Sequence, residues 1–282
     1  MTTTSTTTDP RTTGPVGYSL PLSPSGHSSM LTPPPWHFTG EVVMVEYRVD
    51  PDAAAAFLPP GLSPGADPGA AAAVFAEWQW CSANGAELAD PGRSQFAEFL
   101  ILLSCEFEGR PMARSPFAWV DHPVPMVRGW VQGMPKQLGV VHQSRATTVG
   151  GHGPRLAEGG TFAGALSVDG HRAAEASVTL TGQVEGPPLL HDVPLAHTLA
   201  FPDWAGTGET RGHLVASEVT GVEFSPIWTG DASLRLFDGP GADFAALAPL
   251  EVGRGYVFSY AETLVGGKLL RPGAGSPSPT SP

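Results

Sequence analysis

The segment with the clearest potential for chemistry lies near the middle of the chain, where Lys136 stands among apolar residues, glycine and proline. The segment runs from Arg128 to Gly139 and reads RGWVQGMPKQLG. Burial in apolar surroundings lowers the pKa of a lysine, and a neutral amine is a nucleophile that forms Schiff bases with ketones. The alternative interpretation is structural: Lys136 extends its ammonium group to water from the end of a strand.

The use of lysine in this sequence is itself informative. Lys136 and Lys268 are the only lysines among 15 basic residues, and the others are all arginine. A guanidinium stays protonated and does not form an imine, so arginine cannot replace a lysine that acts as a nucleophile. This reasoning favours a chemical role for Lys136. Lys268 lies beside a Pro/Ser/Gly-rich end of the chain and is predicted to be solvated.

Motifs of other enzyme classes are absent from the sequence. There is no GxSxG elbow, no phosphate-binding glycine loop of the Walker type, no GxGxxG and no HExxH. The nine histidines are scattered, and none of them pairs with another at helical spacing. We therefore expect neither a metal site nor a cofactor.

Composition narrows the range of partners and locations. The chain has 282 residues and a formal net charge of −12, with no cluster of basic residues. Such a chain lacks the positive surface that nucleic acid or an anionic membrane would require. No run of about 18 apolar residues is present, and the Thr-rich start has no apolar signal region. The expectation is a cytoplasmic protein with a small-molecule partner, and with neither a nucleic-acid nor a membrane partner.

The elements that must position Lys136 are mostly strands. The patterns predict strands at Glu41–Tyr47 and Phe99–Phe107, and a hairpin in which Thr161–Val168 and Arg172–Gln183 flank an Asp-Gly turn. Shorter strands are predicted at Val215–Phe224 and Leu234–Phe237, and short helices at Pro51–Phe57 and Ala242–Ala246. Many short strands with Gly/Pro turns favour a sandwich or barrel. We place one domain at residues 36–270, between a low-complexity, mobile segment (1–35) and a disordered tail (271–282).

Three motifs make the sequence resemble the acetoacetate decarboxylase family. Pro135-Lys136-Gln137-Leu138-Gly139 matches the family's Pro-Lys-x-Leu-Gly element, whose lysine forms the Schiff base. Trp228-Thr229-Gly230 with Leu234–Asp238 is similar to a second family stretch, and Val45–Asp50 to its first strand and the turn after it. The resemblance implies a mainly β (β-rich α+β) fold: a single-domain, cone-shaped closed β-barrel with flanking strands and a few short helices. It also implies a homo-oligomer.

The resemblance assigns catalytic roles residue by residue. It implies that Lys136 is the nucleophile and that Glu98, within Phe96-Ala97-Glu98, moves protons. One branch of the family, similar to aldolase-dehydratases that act on pyruvate-like 2-oxo acids, carries a glutamine four residues before the lysine, and Gln132 stands there. Gln137 replaces the second lysine of the decarboxylase, and Gly40 stands where that enzyme has an arginine for the substrate carboxylate. These departures weigh against decarboxylation of acetoacetate.

Four further residues are candidates for substrate binding. Arg128 is predicted either to bind a substrate carboxylate or to pair with one of the 27 acidic residues. Glu262 is either a second acid/base or a carboxylate at the rim of the site. Phe96 and Trp130 are expected to line the pocket, although core packing explains a tryptophan equally well.

The sequence therefore predicts a Schiff-base-forming lyase that acts on a ketone or 2-oxo acid, by aldol condensation and dehydration or by decarboxylation. Two alternatives remain open. One is an imine-independent cyclase or isomerase of secondary metabolism that uses the same cavity. The other is a non-catalytic barrel that binds a hydrophobic ligand.

Overall fold

The computed structural model describes residues 14–202, 204, 211–239 and 242–271. The strands are β1 Trp36–Arg48, β2 Ser63–Pro64, β3 Ala70–Ser82, β4 Gln95–Phe107, β5 Arg110–Arg114, β6 Ala118–Val120, β7 Lys136–Leu138, β8 Val140–Gln143, β9 Thr161–Val168, β10 His171–Val184, β11 Leu195–Phe201, β12 Arg211–Phe224, β13 Ile227–Leu236 and β14 Glu251–Arg271. The α-helices are α1 Pro51–Ala56, α2 Pro91–Ser94, α3 Pro123–Gln132 and α4 Ala242–Ala245, with 3₁₀ turns at Ala86–Ala89 and Leu189–His191.

Seven strands close into a barrel. Their order around the barrel is β1, β3, β4, β5, β11, β12 and β14, and β14 pairs back onto β1. All neighbours in the barrel are antiparallel except β5 and β11. Strands β13, β10, β9 and β8 continue the sheet outward from β14. The predicted mainly β fold, with a closed barrel, flanking strands and short helices, is confirmed.

Both faces of the central barrel strands are buried. In β4, Leu100 and Leu102 face the barrel interior, whereas Phe99 and Ile101 pack against the flanking strands. This division follows from the pleat, since successive side chains point to opposite faces of a sheet. A strand buried on both faces reads as a continuous apolar run, and this explains the run Phe99–Leu103 at the centre of β4.

Glycine at positive φ closes two of the hairpins. Asp169 and Gly170 have φ values of 50° and 80°, and they join β9 to β10 as the Asp-Gly pair predicts. Glu108 and Gly109 have φ values of 51° and 75° and join β4 to β5. The second turn is therefore two residues long, and β5 begins at Arg110.

Two features differ from the sequence-based expectations. Helix α3 was not predicted, because two prolines, a glycine and β-branched residues give this segment a low helix propensity. Residues 14–35 pack in part on the barrel: Leu31 is buried, and the Tyr18 ring contacts Trp36 edge-on. The remainder of the expected terminal segments, 1–13 and 272–282, lies outside the described residues. Within the described ranges, no helix is long and apolar enough to span a membrane.

Candidate active site

The Lys136 segment is positioned by the two ends of helix α3. His122 caps the N-terminus through its Nδ1 atom, which accepts a hydrogen bond from the Val124 N–H, and Pro123 occupies the first helical turn. At the C-terminus Gly133 has a φ of 86°, and the N–H groups of Gly133 and Met134 bond to the carbonyls of Trp130 and Gly129. This pair of bonds is a Schellman motif, which reverses the chain direction.

The reversal brings the Lys136 side chain back across the helix at Gly129. A Cβ atom added at Gly129 would lie 2.5 Å from Lys136 Cδ and 2.6 Å from Cγ. These carbons lie between the backbone and the amine of Lys136, so they cannot move away from an added methyl group without displacing the amine. Glycine at this position is therefore required for the observed path of the Lys136 side chain.

The sequence predicts an imine at Lys136, and the Gly129→Ala variant is expected to form it at least about tenfold more slowly, although alanine favours a helix by about 1 kcal/mol over glycine. The reason is that the added methyl group displaces the lysine stem. The measurement is the rate of borohydride trapping with pyruvate, with thermal unfolding recorded in parallel. A trapping rate equal to wild type would show that the lysine tolerates the displacement.

The Lys136 amine is buried against a carboxylate. Lys136 Nζ lies 2.7 Å from Glu98 Oε1, and the two side chains are only 5% and 7% exposed. Trp78 Nε1 donates a hydrogen bond of 3.0 Å to the other oxygen of Glu98. Burial lowers the pKa of Lys136; the Glu98 charge opposes this shift, and the Arg128 charge adds to it. The net direction favours the neutral amine, which is the nucleophilic form.

The amine opens into a cavity of about 140 Å³ inside the barrel. Apolar and aromatic side chains form most of its wall, and a few polar groups converge on it, as in small-molecule sites generally. The wall is formed by Phe38, Val74, Ala76, Trp78, Phe96, Glu98, Leu100, Leu102, Arg128, Gln132, Met134, Lys136, Leu190, His191, Pro194, Leu195, Ser217, Val219, Tyr260, Glu262 and Leu264.

Arg128 reaches this cavity from helix α3. Its side chain is almost fully buried, with its guanidinium carbon 4.6 Å from the Trp80 ring centroid and 4.7 Å from that of Phe38. Burial lowers its pKa to about 9, so it remains a cation near neutral pH. Among the described residues, neither terminal nitrogen has a hydrogen-bond partner. Two such N–H groups match the geometry of a carboxylate.

A second carboxyl group lies on β14. Glu262 lines the cavity, and Tyr260 Oη donates a hydrogen bond of 2.8 Å to its Oε2 atom. Burial raises the pKa of Glu262, and the Glu98 charge raises it further, against the lowering effects of Tyr260 and Lys136. Two carboxyl groups with different environments thus line the cavity that holds the Lys136 amine. This arrangement can both accept and donate protons during imine chemistry.

The structure brings six of the seven sequence-predicted site residues to one cavity: Lys136, Glu98, Gln132, Arg128, Glu262 and Phe96. It places Trp130 elsewhere. The Trp130 side chain is 46% exposed, and its Nε1 donates a hydrogen bond of 2.8 Å to the backbone carbonyl of Lys136. Helical geometry explains this placement, since Trp130 projects from a different side of α3 than Arg128 and Gln132.

The structure also explains the two departures from the decarboxylase pattern. Gln137 is exposed, and the cation that lowers the pKa of Lys136 is Arg128 from the neighbouring helix. At Gly40 an added Cβ would lie 2.5 Å from the Trp78 ring, so the glycine makes room for the indole that bonds Glu98. Arg128 can therefore supply both missing features. These are the positive charge that lowers the pKa of Lys136, expected at position 137, and the cation for a substrate carboxylate, expected at position 40.

Sequence reasoning missed three polar lining residues: His191, Ser217 and Tyr260. The sequence could have indicated Tyr260 as a lining residue, because it lies two residues before Glu262 on one strand and therefore on the same face. His191 sits in a 3₁₀ turn after a Gly-Pro-Pro loop, where no periodicity indicates the direction of a side chain. Ser217 is one of many scattered serines. Within the described ranges, no three His, Cys, Asp or Glu side chains cluster so as to hold a metal ion.

Two buried histidines predict loss of stability in acid. Burial lowers the pKa of His191 to about 4; for His197, burial together with Arg114 and Lys136 lowers it to about 3. The unfolded chain binds protons at both below about pH 6.5, whereas the folded protein does not. The free energy of unfolding should therefore fall as the pH drops from about 6.5 towards 4, by about 2 kcal/mol per histidine at pH 5. Urea unfolding at pH 7 and pH 5 measures this loss of unfolding free energy. The loss should be about 2 kcal/mol smaller in His191→Phe. A loss equal to that of the wild type would contradict the lowered pKa of His191.

Comparison with known proteins gives a consistent result. The model of the family described as acetoacetate decarboxylase matches residues 19–272. A structure of the enduracididine biosynthesis enzyme MppR, in complex with the condensation product of pyruvate and imidazole 4-carboxaldehyde, is 73% identical. It matches with a TM-score of 0.90 over 92% of this chain and 98% of that one. A pyruvate complex of MppR is 74% identical, with a TM-score of 0.89 over the same shares of the two chains.

A more distant match shows the fold alone. An acetoacetate decarboxylase-like enzyme from Sphingomonas wittichii RW1 is 24% identical, with a TM-score of 0.84 over 91% of this chain and 100% of that one. Curated protein sequences gave no match.

Proposed function

Because this chain belongs to the acetoacetate decarboxylase family and is an enzyme of that family, we propose that it is a Schiff-base lyase that condenses a pyruvate-like 2-oxo acid with an aldehyde and removes water. One observation carries the proposal. A buried lysine amine, a contacting carboxylate and a guanidinium with two unpartnered N–H groups line one cavity among the described residues. Together they fit the amine, the proton acceptor and the anion site that a 2-oxo acid requires.

The first half of the reaction forms an enamine. Arg128 binds the carboxylate of the 2-oxo acid, and Gln132 donates a hydrogen bond to its keto oxygen. The Lys136 amine attacks the keto carbon, and the keto oxygen takes up protons and leaves as water, which gives the imine. Glu98 then accepts a proton from the adjacent methyl carbon, and the electron pair of that C–H bond forms the enamine.

The second half forms and breaks bonds at the aldehyde. The enamine carbon attacks the aldehyde carbon, a C–C bond forms, and a carboxyl group, Glu98 or Glu262, protonates the alkoxide. The carbon that attacked then loses a second proton, and the new hydroxyl group takes up a proton and leaves as water. A carbon–carbon double bond results. Water then hydrolyses the imine and returns the free Lys136. The balance is a 2-oxo acid plus an aldehyde, giving an unsaturated 2-oxo acid and one net water.

One further observation favours condensation over decarboxylation. The relative MppR carries the condensation product of pyruvate and imidazole 4-carboxaldehyde in its solved complex, and it is 73% identical to this chain. A 2-oxo acid with an aldehyde is therefore the first substrate pair to test.

The test is borohydride reduction in the presence of pyruvate, followed by intact mass and peptide mapping. We expect one added reduced pyruvate at Lys136, and formation of an unsaturated 2-oxo acid when an aldehyde is added without borohydride. No adduct with pyruvate, acetoacetate or other keto acids would favour the imine-independent cyclase or isomerase. Release of carbon dioxide from acetoacetate as the main activity would instead favour decarboxylation.

Two properties of the whole molecule remain proposals. We propose a homo-oligomer and a cytoplasmic location, both from the sequence analysis above. Light scattering during size-exclusion chromatography tests the first, and fractionation of the producing cells tests the second.

A further inference from the structure

A second cavity adjoins the catalytic one, and the mechanism above does not use it. This side chamber has a volume of about 170 Å³ and is lined by Trp36, Gln132, His197, Leu199, Ser217 and Gly267, among others. Gln132, Ser217 and Leu264 belong to the walls of both cavities. The amide that faces the reacting carbonyl therefore also faces the side chamber.

The side chamber contains one buried polar group with an unused hydrogen-bonding atom. His197 is 1% exposed, and its Nε2 atom lies 2.9 Å from Ser217 Oγ. Its Nδ1 atom is buried and has no hydrogen-bond partner among the described residues. An unpaired polar atom in such a place is costly, and a ligand that bonds to it gains the corresponding stabilisation.

The remaining wall selects the character of that ligand. Among the described lining residues none is charged, and burial keeps His197 itself neutral. A charged group would be buried there without a counter-ion, which is unfavourable. Trp36 and Tyr18 contribute aromatic surface, and Gly267 leaves the wall open opposite Ser217. A flat, neutral ring with a hydrogen-bonding nitrogen or oxygen fits these features.

We propose that the side chamber binds the group attached to the carbonyl of the second substrate, and that this group is a neutral, planar ring that hydrogen-bonds to His197. The inference rests on the proposed condensation, for which the 2-oxo acid occupies the catalytic cavity. The aldehyde carbon then lies near Gln132, at the boundary between the two cavities. His197 is a binding residue in this arrangement and takes no part in bond formation.

Two variants alter the side chamber without touching Lys136. Gly267 lies directly opposite Ser217 in the pairing of β12 with β14, and a Cβ atom added there makes only an ordinary contact of 3.6 Å with the Ala216 carbonyl. Gly267→Leu should therefore fill the chamber. His197→Leu removes the polar atom. Gly182→Leu is the matched control, because Gly182 lies on β10, belongs to the wall of neither cavity, and an added Cβ there meets nothing within 4 Å.

The first measurement is calorimetric binding of pyrazole, a flat ring with a neutral N–H and an acceptor nitrogen, and of thiophene, which lacks both. Wild type and Gly182→Leu should bind pyrazole alike. Gly267→Leu and His197→Leu should each weaken pyrazole binding about tenfold or more, and His197→Leu should leave thiophene unchanged. Equal pyrazole affinity in all four proteins, or no binding to wild type, overturns the proposal.

The second measurement separates this proposal from the proposed function. Pyruvate trapping at Lys136 should proceed normally in Gly267→Leu, whereas kcat/KM for pyrazole-4-carboxaldehyde should fall about tenfold or more and that for acetaldehyde should not. Failure of trapping in wild type would refute the Schiff-base mechanism, and the pyrazole titration would still decide the binding site. Equal loss of activity with both aldehydes would overturn the side chamber as a subsite. Melting temperatures show that each variant is folded.

Discussion

The Lys136→Arg variant is expected to lose borohydride trapping completely and to retain no more than about 10⁻³ of the condensation activity. Arginine keeps a positive charge beside Glu98, so the buried ion pair of 2.7 Å has a replacement and the barrel should still fold. A guanidinium is protonated at working pH and cannot attack the keto carbon. The loss of trapping and activity therefore tests the amine as the nucleophile, because the positive charge beside Glu98 is kept. Intact mass after borohydride treatment with pyruvate measures it.

Lys268→Arg is the matched control for this experiment. It is the same substitution at the only other lysine of the sequence, which lies exposed on β14. Trapping and activity should equal those of wild type. If Lys136→Arg still condenses pyruvate with an aldehyde at a tenth of the normal rate or more, the reaction does not pass through an imine at this residue.

The Arg128→Met variant is expected to lower kcat/KM for pyruvate about 100-fold or more, which corresponds to about 3 kcal/mol. The guanidinium has two terminal nitrogens without partners in the described part of the chain, and a substrate carboxylate would satisfy both. Methionine is unbranched and fits an aromatic surrounding of Trp36, Phe38, Trp80 and Phe96 without leaving a buried charge. Steady-state kinetics with varied pyruvate measures the effect.

Methyl pyruvate provides the control for Arg128, because it presents the same ketone without a negative charge. Compared at a pH above the trapping midpoint of each protein, so that the Lys136 amine is neutral in both, the variant should process the ester about as well as the wild type does. The loss of the Arg128 charge also removes one of the causes that lower the pKa of Lys136, so the pH dependence of trapping should shift upward. An equal decrease for acid and ester would show that Arg128 acts on the amine or on the fold, and not on the substrate carboxylate.

The sequence was sufficient to predict much of the fold, and it supports the proposal for the local chemistry. The Pro-Lys-x-Leu-Gly element identifies Lys136, and the scarcity of lysine strengthens that choice. The Asp-Gly pair predicts the hairpin of β9 and β10, because few residues adopt positive φ at low cost. Glycine, proline and period-two patterns act over a few residues, so they can be read without knowledge of distant parts of the chain.

Helix α3 and its consequences were not predictable in this way. Its propensity is low, and it is stabilised by a histidine cap, the Schellman turn at Gly133 and contacts with distant strands. The backbone of β11 passes so close to Gly133 that an added Cβ would lie 2.7 Å from it. Such close packing depends on residues about 65 positions later in the chain. The misplacement of Trp130 follows directly from the missing helix, since the direction of its side chain is set by the helical turn.

The sequence by itself determined the β-rich architecture, because that depends on residue type and short-range spacing, and through the family resemblance it predicted Lys136 as the nucleophile of a Schiff-base reaction. Only the tertiary structure decided the partners of that nucleophile. Glu98 on β4, Arg128 on α3 and Glu262 on β14 line one cavity with Lys136 because the barrel closes between β1 and β14. The lowered pKa of Lys136, and the terminal Arg128 nitrogens that have no partner within the described ranges, arise from burial and from contacts between distant segments, and no local pattern contains them.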